Sequence, residues 1–75
     1  MSKGRKVFSG VFVISILVKS FGFDVISQRG SHVKLRGKNR VTIVPLHKEL
    51  APGTLKSVLA LAGIDKSQFL KAIDR

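Results

Sequence analysis

Apolar side chains near the start of the chain recur at the three- and four-residue spacing of an α-helix. Ser9 is a suitable N-cap for this helix, which we expect to run to about Ser20 and to end at Gly22. One apolar stripe on it consists of Val13, Ile16, Leu17 and Phe21. Three further apolar residues lie largely off that stripe: Val11, Ile14 and Val18. Two interpretations are open: the helix is almost wholly buried in a small core, or the additional apolar surface docks a second protein.

The spacing then changes to the alternation of β-strands, interrupted by glycine turns. Strands are expected at residues 23–28, 31–36 and 40–44, joined by Arg29-Gly30 and by Gly37-Lys38-Asn39. These short connections predict an antiparallel meander. Alternation places Val33 and Leu35 on the buried face, and we expect Val41 and Ile43 to meet them there. The solvent face would then carry His32, Lys34, Arg36, Arg40 and Thr42.

Helical spacing returns after Pro45. Pro52 begins a predicted helix that runs to about Ala62 and stops at Gly63. Its apolar face, expected to pack on the sheet, consists of Leu55, Val58, Leu59 and Ala62. Asp65 and Gln68 form a capping-box pattern for a short last helix ending near Ile73, with Phe69 pointing inward. The sequence thus predicts one α+β domain over residues 1–75, which includes a basic N-terminal segment at residues 1–8.

The charge of the chain points to a polyanionic partner. Fourteen Lys and Arg residues against four Asp and Glu residues give a net charge of +10 in 75 residues. A highly solvated surface is the alternative explanation. The chain has no cysteine, and the apolar run at residues 11–18 is too short to span a bilayer, so the expected location is the cytoplasm, without a membrane partner.

His32 is the strongest candidate for chemistry, because strand alternation puts it on one face with Lys34 and Arg36. Metal-free RNA cleavage needs a group that takes the 2′-hydroxyl proton, a cation that stabilises the phosphorane, and a proton donor for the leaving oxygen. His32 fits the first or third role. The expected phosphate-binding residues are Arg29, Lys34, Arg36, Arg40 and Lys48, and candidate auxiliary groups are Ser31 and His47. Each cation has plain phosphate positioning as its alternative role.

Metal or cofactor chemistry is not expected from the sequence. The four carboxylates, Asp24, Glu49, Asp65 and Asp74, are dispersed and lack the spacing of a Mg²⁺ or Zn²⁺ site. The frame of a phosphate-binding glycine loop is missing as well. We therefore predict no metal and no small-molecule cofactor.

A set of short motifs resembles the HicA mRNA interferase toxins over nearly the whole chain. Three of them are specific as a set at these spacings, although each alone would be weak: Gln28-Arg29-Gly30-Ser31-His32, Val44-Pro45-Leu46-His47 and Gly53-Thr54-Leu55. The resemblance implies a double-stranded-RNA-binding-domain-like fold, cleavage of mRNA or tmRNA that blocks translation, and a HicB-type antitoxin that masks the active site. It also implies that His32 is the catalytic histidine. Val11 and Phe12 depart from the family pattern, in which a charged or polar pair is common.

Two rival functions keep the same fold and charge. A non-catalytic RNA-binding module would bind RNA in a salt-sensitive way without cleaving it. Binding to DNA, alone or in a repressor complex, would need affinity for duplex operators, and nothing in the chain resembles a recognition helix.

Overall fold

The computed structural model describes residues 7–74. Three helices and three strands follow one another as α1 (Gly10–Phe21), β1 (Asp24–Arg29), β2 (His32–Arg36), β3 (Val41–Pro45), α2 (Pro52–Ala62) and α3 (Lys66–Ile73). This order confirms the predicted α+β fold, and the predicted boundaries differ from the observed ones by at most one residue. The basic segment predicted at residues 1–8 lies outside the described residues except for Val7 and Phe8.

The strands form one antiparallel sheet in the order β1-β2-β3, so β2 is the central strand. The helices pack on one face of this sheet, where Val33 and Leu35 of β2 are buried. The other face carries no helix in the part of the chain that the structure describes. All six residues of β1 are exposed, which fits an edge strand.

Helix α1 begins and ends as the sequence predicts. The Phe12 backbone N–H donates to the Ser9 Oγ over 3.0 Å, and Gly22 closes the helix in the left-handed region with φ of 73°. Val13 and Leu17 are fully buried, whereas Val11 remains 66% exposed. The interpretation that α1 is almost wholly buried is therefore wrong. An apolar strip of this helix faces solvent and consists of Val11, Phe12 and Val18.

The prediction of which side chains of β3 face the core is wrong. Thr42 and Val44 face the core and are fully buried, whereas Val41 and Ile43 face solvent and are 41% and 44% exposed. The cause is the connection between β2 and β3, in which four residues, 37–40, separate the paired Arg36 and Val41. The prediction placed Arg40 inside the strand, and a shift of one residue in pairing moves every side chain to the opposite face.

The hydroxyl of Thr42 is compatible with burial because it has a hydrogen-bond partner. It donates to the backbone carbonyl of Val58, in the middle of α2, over 2.8 Å. This bond fastens the sheet to the helix above it. A buried polar group with such a partner avoids most of the cost of losing water.

The C-terminal helices match their predictions. Gly63 ends α2 with φ of 73°, and the Asp65 backbone N–H donates to the Gln68 Oε1 over 2.9 Å at the start of α3. Phe69 is fully buried, with its ring edge-on to that of Phe8 at a centroid distance of 5.5 Å. Among residues 7–74, no helix is long and apolar enough to cross a membrane.

Candidate functional site

The face of the sheet opposite the helices presents three rows of side chains across the strands. Residues directly opposed in antiparallel strands project from the same face, with Cβ atoms about 5 Å apart. The pairing gives the rows Arg29, His32 and Pro45, then Ser27, Lys34 and Ile43, then Asp24, Arg36 and Val41. We call this side of the sheet the open face.

A depression lies on the open face around His32. It is lined by Ser27, Arg29, His32, Lys34 and Ile43 and has a volume of about 690 Å³. That volume falls within the range of ligand-binding clefts, about 300–1,000 Å³. His32 is exposed, so its imidazole is accessible to a ligand that enters the depression.

Backbone contacts on both sides of the strand hold His32 in place. Gly30 makes the preceding turn with φ of 57°, and the Gln28 side-chain amide donates to the Gly30 carbonyl over 2.9 Å. On the other side, the Leu46 N–H donates to the Ser31 carbonyl over 2.7 Å, next to the His32–Pro45 pair. His32 therefore stands on a paired, central strand and not on a free loop, which favours a fixed position for its ring.

The electrostatics of the depression favour an anion. Arg29 is the partner of His32 across the strands, and Lys34 lies two residues further along β2 on the same face, about 7 Å away in an extended strand. Guanidinium and ammonium groups bind phosphate oxygens, and imidazole can accept and donate protons near neutral pH. The arrangement can thus hold a phosphodiester beside a group that moves protons.

The remaining predicted site residues lie at increasing distance from this depression. Ser31 precedes His32 in the turn and is not among the residues that line the depression. Arg36 stands one row beyond Lys34, opposite Asp24. The side chain of Arg40 lies against Gly63 at the end of α2, on the other side of the sheet. Lys48 lies beside Phe8 and Phe12 at the start of α1.

His47 has a structural contact in its backbone. Its carbonyl accepts the N–H of Gly10 over 2.9 Å and so anchors the beginning of α1, and its side chain is exposed. His47 is not among the residues that line the depression around His32.

Sequence reasoning missed two residues that line the depression, Ser27 and Ile43. Ser27 reaches the open face because the pairing of β1 shifts between Val25 and Ser27, a bulge for which the sequence has no evident signal. Ile43 was expected in the core. The length of the loop before β3 is the signal that would have identified it. With four connecting residues in place of three, each side chain of β3 points to the opposite face of the sheet.

The described residues contain no group of three or more His, Cys, Asp and Glu side chains arranged to hold a metal ion. Comparisons with curated proteins and with solved structures gave no significant match. A family model described as the HicA toxin of bacterial toxin-antitoxin systems matches residues 13–64, which is more than half of the 75-residue chain and includes the whole sheet. The chain therefore belongs to the HicA family of toxins of bacterial toxin-antitoxin systems.

Proposed function

We propose that this HicA-family toxin is an endoribonuclease that cleaves mRNA without a metal ion and uses His32 as its acid/base. The observation that supports the proposal is the position of His32, exposed on a central strand, with Arg29 opposite it and Lys34 on the same face. The net charge of +10 adds a general attraction for RNA. The same proposal places the protein in the cytoplasm, where mRNA is translated.

The proposed reaction is an internal transfer at the phosphodiester. The 2′-oxygen of the substrate attacks the adjacent phosphorus, the bond from phosphorus to the 5′-oxygen breaks, and a 2′,3′-cyclic phosphate remains on the upstream fragment. His32 accepts the 2′-hydroxyl proton as the nucleophile attacks, or donates a proton to the departing 5′-oxygen. Arg29 and Lys34 stabilise the negative charge that grows on the phosphorane oxygens.

The other predicted cations receive a secondary role in this proposal. Arg36 follows Lys34 along β2 on the same face of the sheet. We therefore assign it to a neighbouring phosphate of the same RNA strand. Arg40 and Lys48 lie away from the depression and contribute long-range attraction. Ser31 stays a candidate for a contact to the RNA backbone at the turn, and His47 is not assigned to the reaction.

Membership of the family implies a cognate antitoxin. We propose a HicB-type antitoxin that covers the depression and so keeps RNA from His32. An acidic surface on that partner would complement Arg29, Lys34 and Arg36.

The proposal is tested by replacing His32 with glutamine and with alanine in the purified protein. General acid–base catalysis contributes about 100- to 10,000-fold to a rate, so both variants should lose RNA cleavage by at least about 100-fold. The assay is gel analysis of single-stranded RNA with EDTA present, with mass spectrometry of the product ends. His47→Ala is the matched control, because it removes the second histidine of the chain without altering the depression, and it should retain cleavage.

Two results would argue against this function. Cleavage by His32→Gln at the normal rate in EDTA would remove the proposed acid/base. Salt-sensitive RNA binding by the unmodified protein with no products at any enzyme concentration would instead favour the non-catalytic RNA-binding module.

A further inference from the structure

The depression around His32 has a polar side and an apolar side. Ser27 and Arg29 of β1 border it on one side, and Ile43 of β3 borders it on the other. Ile43 is directly opposite Lys34 and diagonal to His32, a relation that puts the two side chains about 7–8 Å apart. Ile43 is 44% exposed, although the fold buries the neighbouring Thr42 and Val44 completely.

We infer that Ile43 contacts the face of an unpaired RNA base, namely the base of the nucleotide whose 2′-oxygen attacks, and so favours single-stranded over double-stranded RNA. The inference rests on the proposed function, because it places the scissile phosphate at Arg29, His32 and Lys34. With the scissile phosphate there, we place the sugar–phosphate chain along β2, beside Lys34 and Arg36. The attached base then lies towards β3. Among residues 7–74, the only side chain that lines the depression on that side is Ile43, an aliphatic group that offers contact area without hydrogen bonds.

This geometry selects unpaired RNA. In a duplex the base faces are covered by their stacked neighbours, whereas a base in a single strand can turn outward and lie on a protein surface. An isoleucine contacts the face of any base and reads none of the groups at its edge. The site therefore prefers single-stranded RNA and discriminates weakly between bases at this position.

The test uses equilibrium binding to a short, fluorescently labelled 2′-O-methyl oligouridine, which cannot be cleaved because its nucleophile is blocked. A second probe of the same length carries the same phosphates without bases. Ile43→Thr removes apolar contact from a half-exposed strand position and should weaken binding of the first probe by about fourfold to tenfold. It should leave binding of the abasic probe unchanged within about twofold.

Two further variants distinguish this contact from other effects. Val41→Thr is the matched control, because Val41 is 41% exposed on the same face of β3 but lies outside the depression; it should change binding of neither probe. Lys34→Ala should weaken both probes equally, since it removes a phosphate contact. Because these are binding measurements, they test Ile43 even if the unmodified protein proves unable to cut RNA.

The inference is overturned if Ile43→Thr weakens both probes alike, or weakens neither. It is also overturned if Ile43→Thr reduces only the affinity for the antitoxin, since Ile43 would then be a protein contact. Duplex RNA of matching sequence should be bound by Ile43→Thr and the unmodified protein with equal affinity, and a loss there as large as for the single strand would contradict the proposed preference.

Discussion

Replacing Gly10 with alanine tests how the start of α1 is held against the end of β3. A Cβ atom on Gly10 would overlap the backbone carbonyl oxygen of Pro45 and lie 3.1 Å from the Cα atom of Leu46. These atoms belong to the main chain, so no side-chain rotation relieves the overlap. The first turn of α1 or the end of β3 would have to move.

The size of the effect follows from two losses. Overfilling a packed contact costs about 1–3 kcal/mol, and the hydrogen bond from the Gly10 N–H to the His47 carbonyl, 2.9 Å long, would be stretched or broken. Together they predict a decrease of about 2–4 kcal/mol in the free energy of unfolding. A domain of this length is stabilised by about 4–11 kcal/mol in total, so the variant loses a large part of its stability.

The matched control is Gly53→Ala, also within the first turn of a helix. A Cβ atom on Gly53 would meet nothing within 4 Å, so this change should follow helix propensity and stabilise the protein by about 0.5–1 kcal/mol. Urea unfolding followed by circular dichroism measures the free energy of unfolding of both variants. The dependence of this free energy on urea concentration should be the same for each variant and the unmodified protein. The reasoning is refuted if Gly10→Ala is as stable as the unmodified protein, because the close approach of α1 to Pro45 would then not exist.

Two further changes test the core and the exposed strip of α1. Thr42→Val keeps the shape of a buried side chain but removes its bond to the Val58 carbonyl, so the free energy of unfolding should fall by about 1 kcal/mol; a rise would show that the hydroxyl does not stabilise the protein. Val11→Ser should change stability by less than about 0.5 kcal/mol, whereas Val13→Ser, at a fully buried position one turn from the same helix end, should cost more than about 2 kcal/mol. If thermal unfolding shows the same loss of stability for Val11→Ser and Val13→Ser, Val11 is covered in solution and the reasoning is wrong.

The helices could be predicted from the sequence because their ends carry local signals. Ser9 caps α1 through its own side chain, and Gly22 and Gly63 occupy the left-handed conformation that ends α1 and α2. The N–H of Asp65 bonds to the Gln68 side chain three residues away. Each signal involves residues close together in the chain, so no knowledge of the tertiary structure is needed to interpret it.

The orientation of β3 could not be predicted in the same way. Its alternation of Val41, Thr42, Ile43 and Val44 places an apolar side chain on either face, so the pattern alone does not decide which face is buried. The decision comes from the four-residue loop before the strand and from the acceptor that α2 offers to Thr42. The pairing of β3 with β2 and the hydrogen bond to α2 are contacts between elements, and the alternation within β3 does not contain them. The predicted exposure of His32 and Lys34 on one face of β2 is confirmed, whereas the prediction that Ile43 lies in the core is wrong.

The alternation of β2 separates the residues that stabilise the fold from those proposed to act on RNA. Val33 and Leu35 are buried under the helices, and the intervening His32, Lys34 and Arg36 are exposed on the open face. The strand itself is held by backbone pairing to β1 and β3, which does not depend on these exposed side chains. We therefore expect a polar or apolar substitution at His32 to leave the core intact while removing the group proposed to act on RNA. If His32→Gln loses the proposed RNA cleavage, this separation makes the loss attributable to the imidazole and not to unfolding.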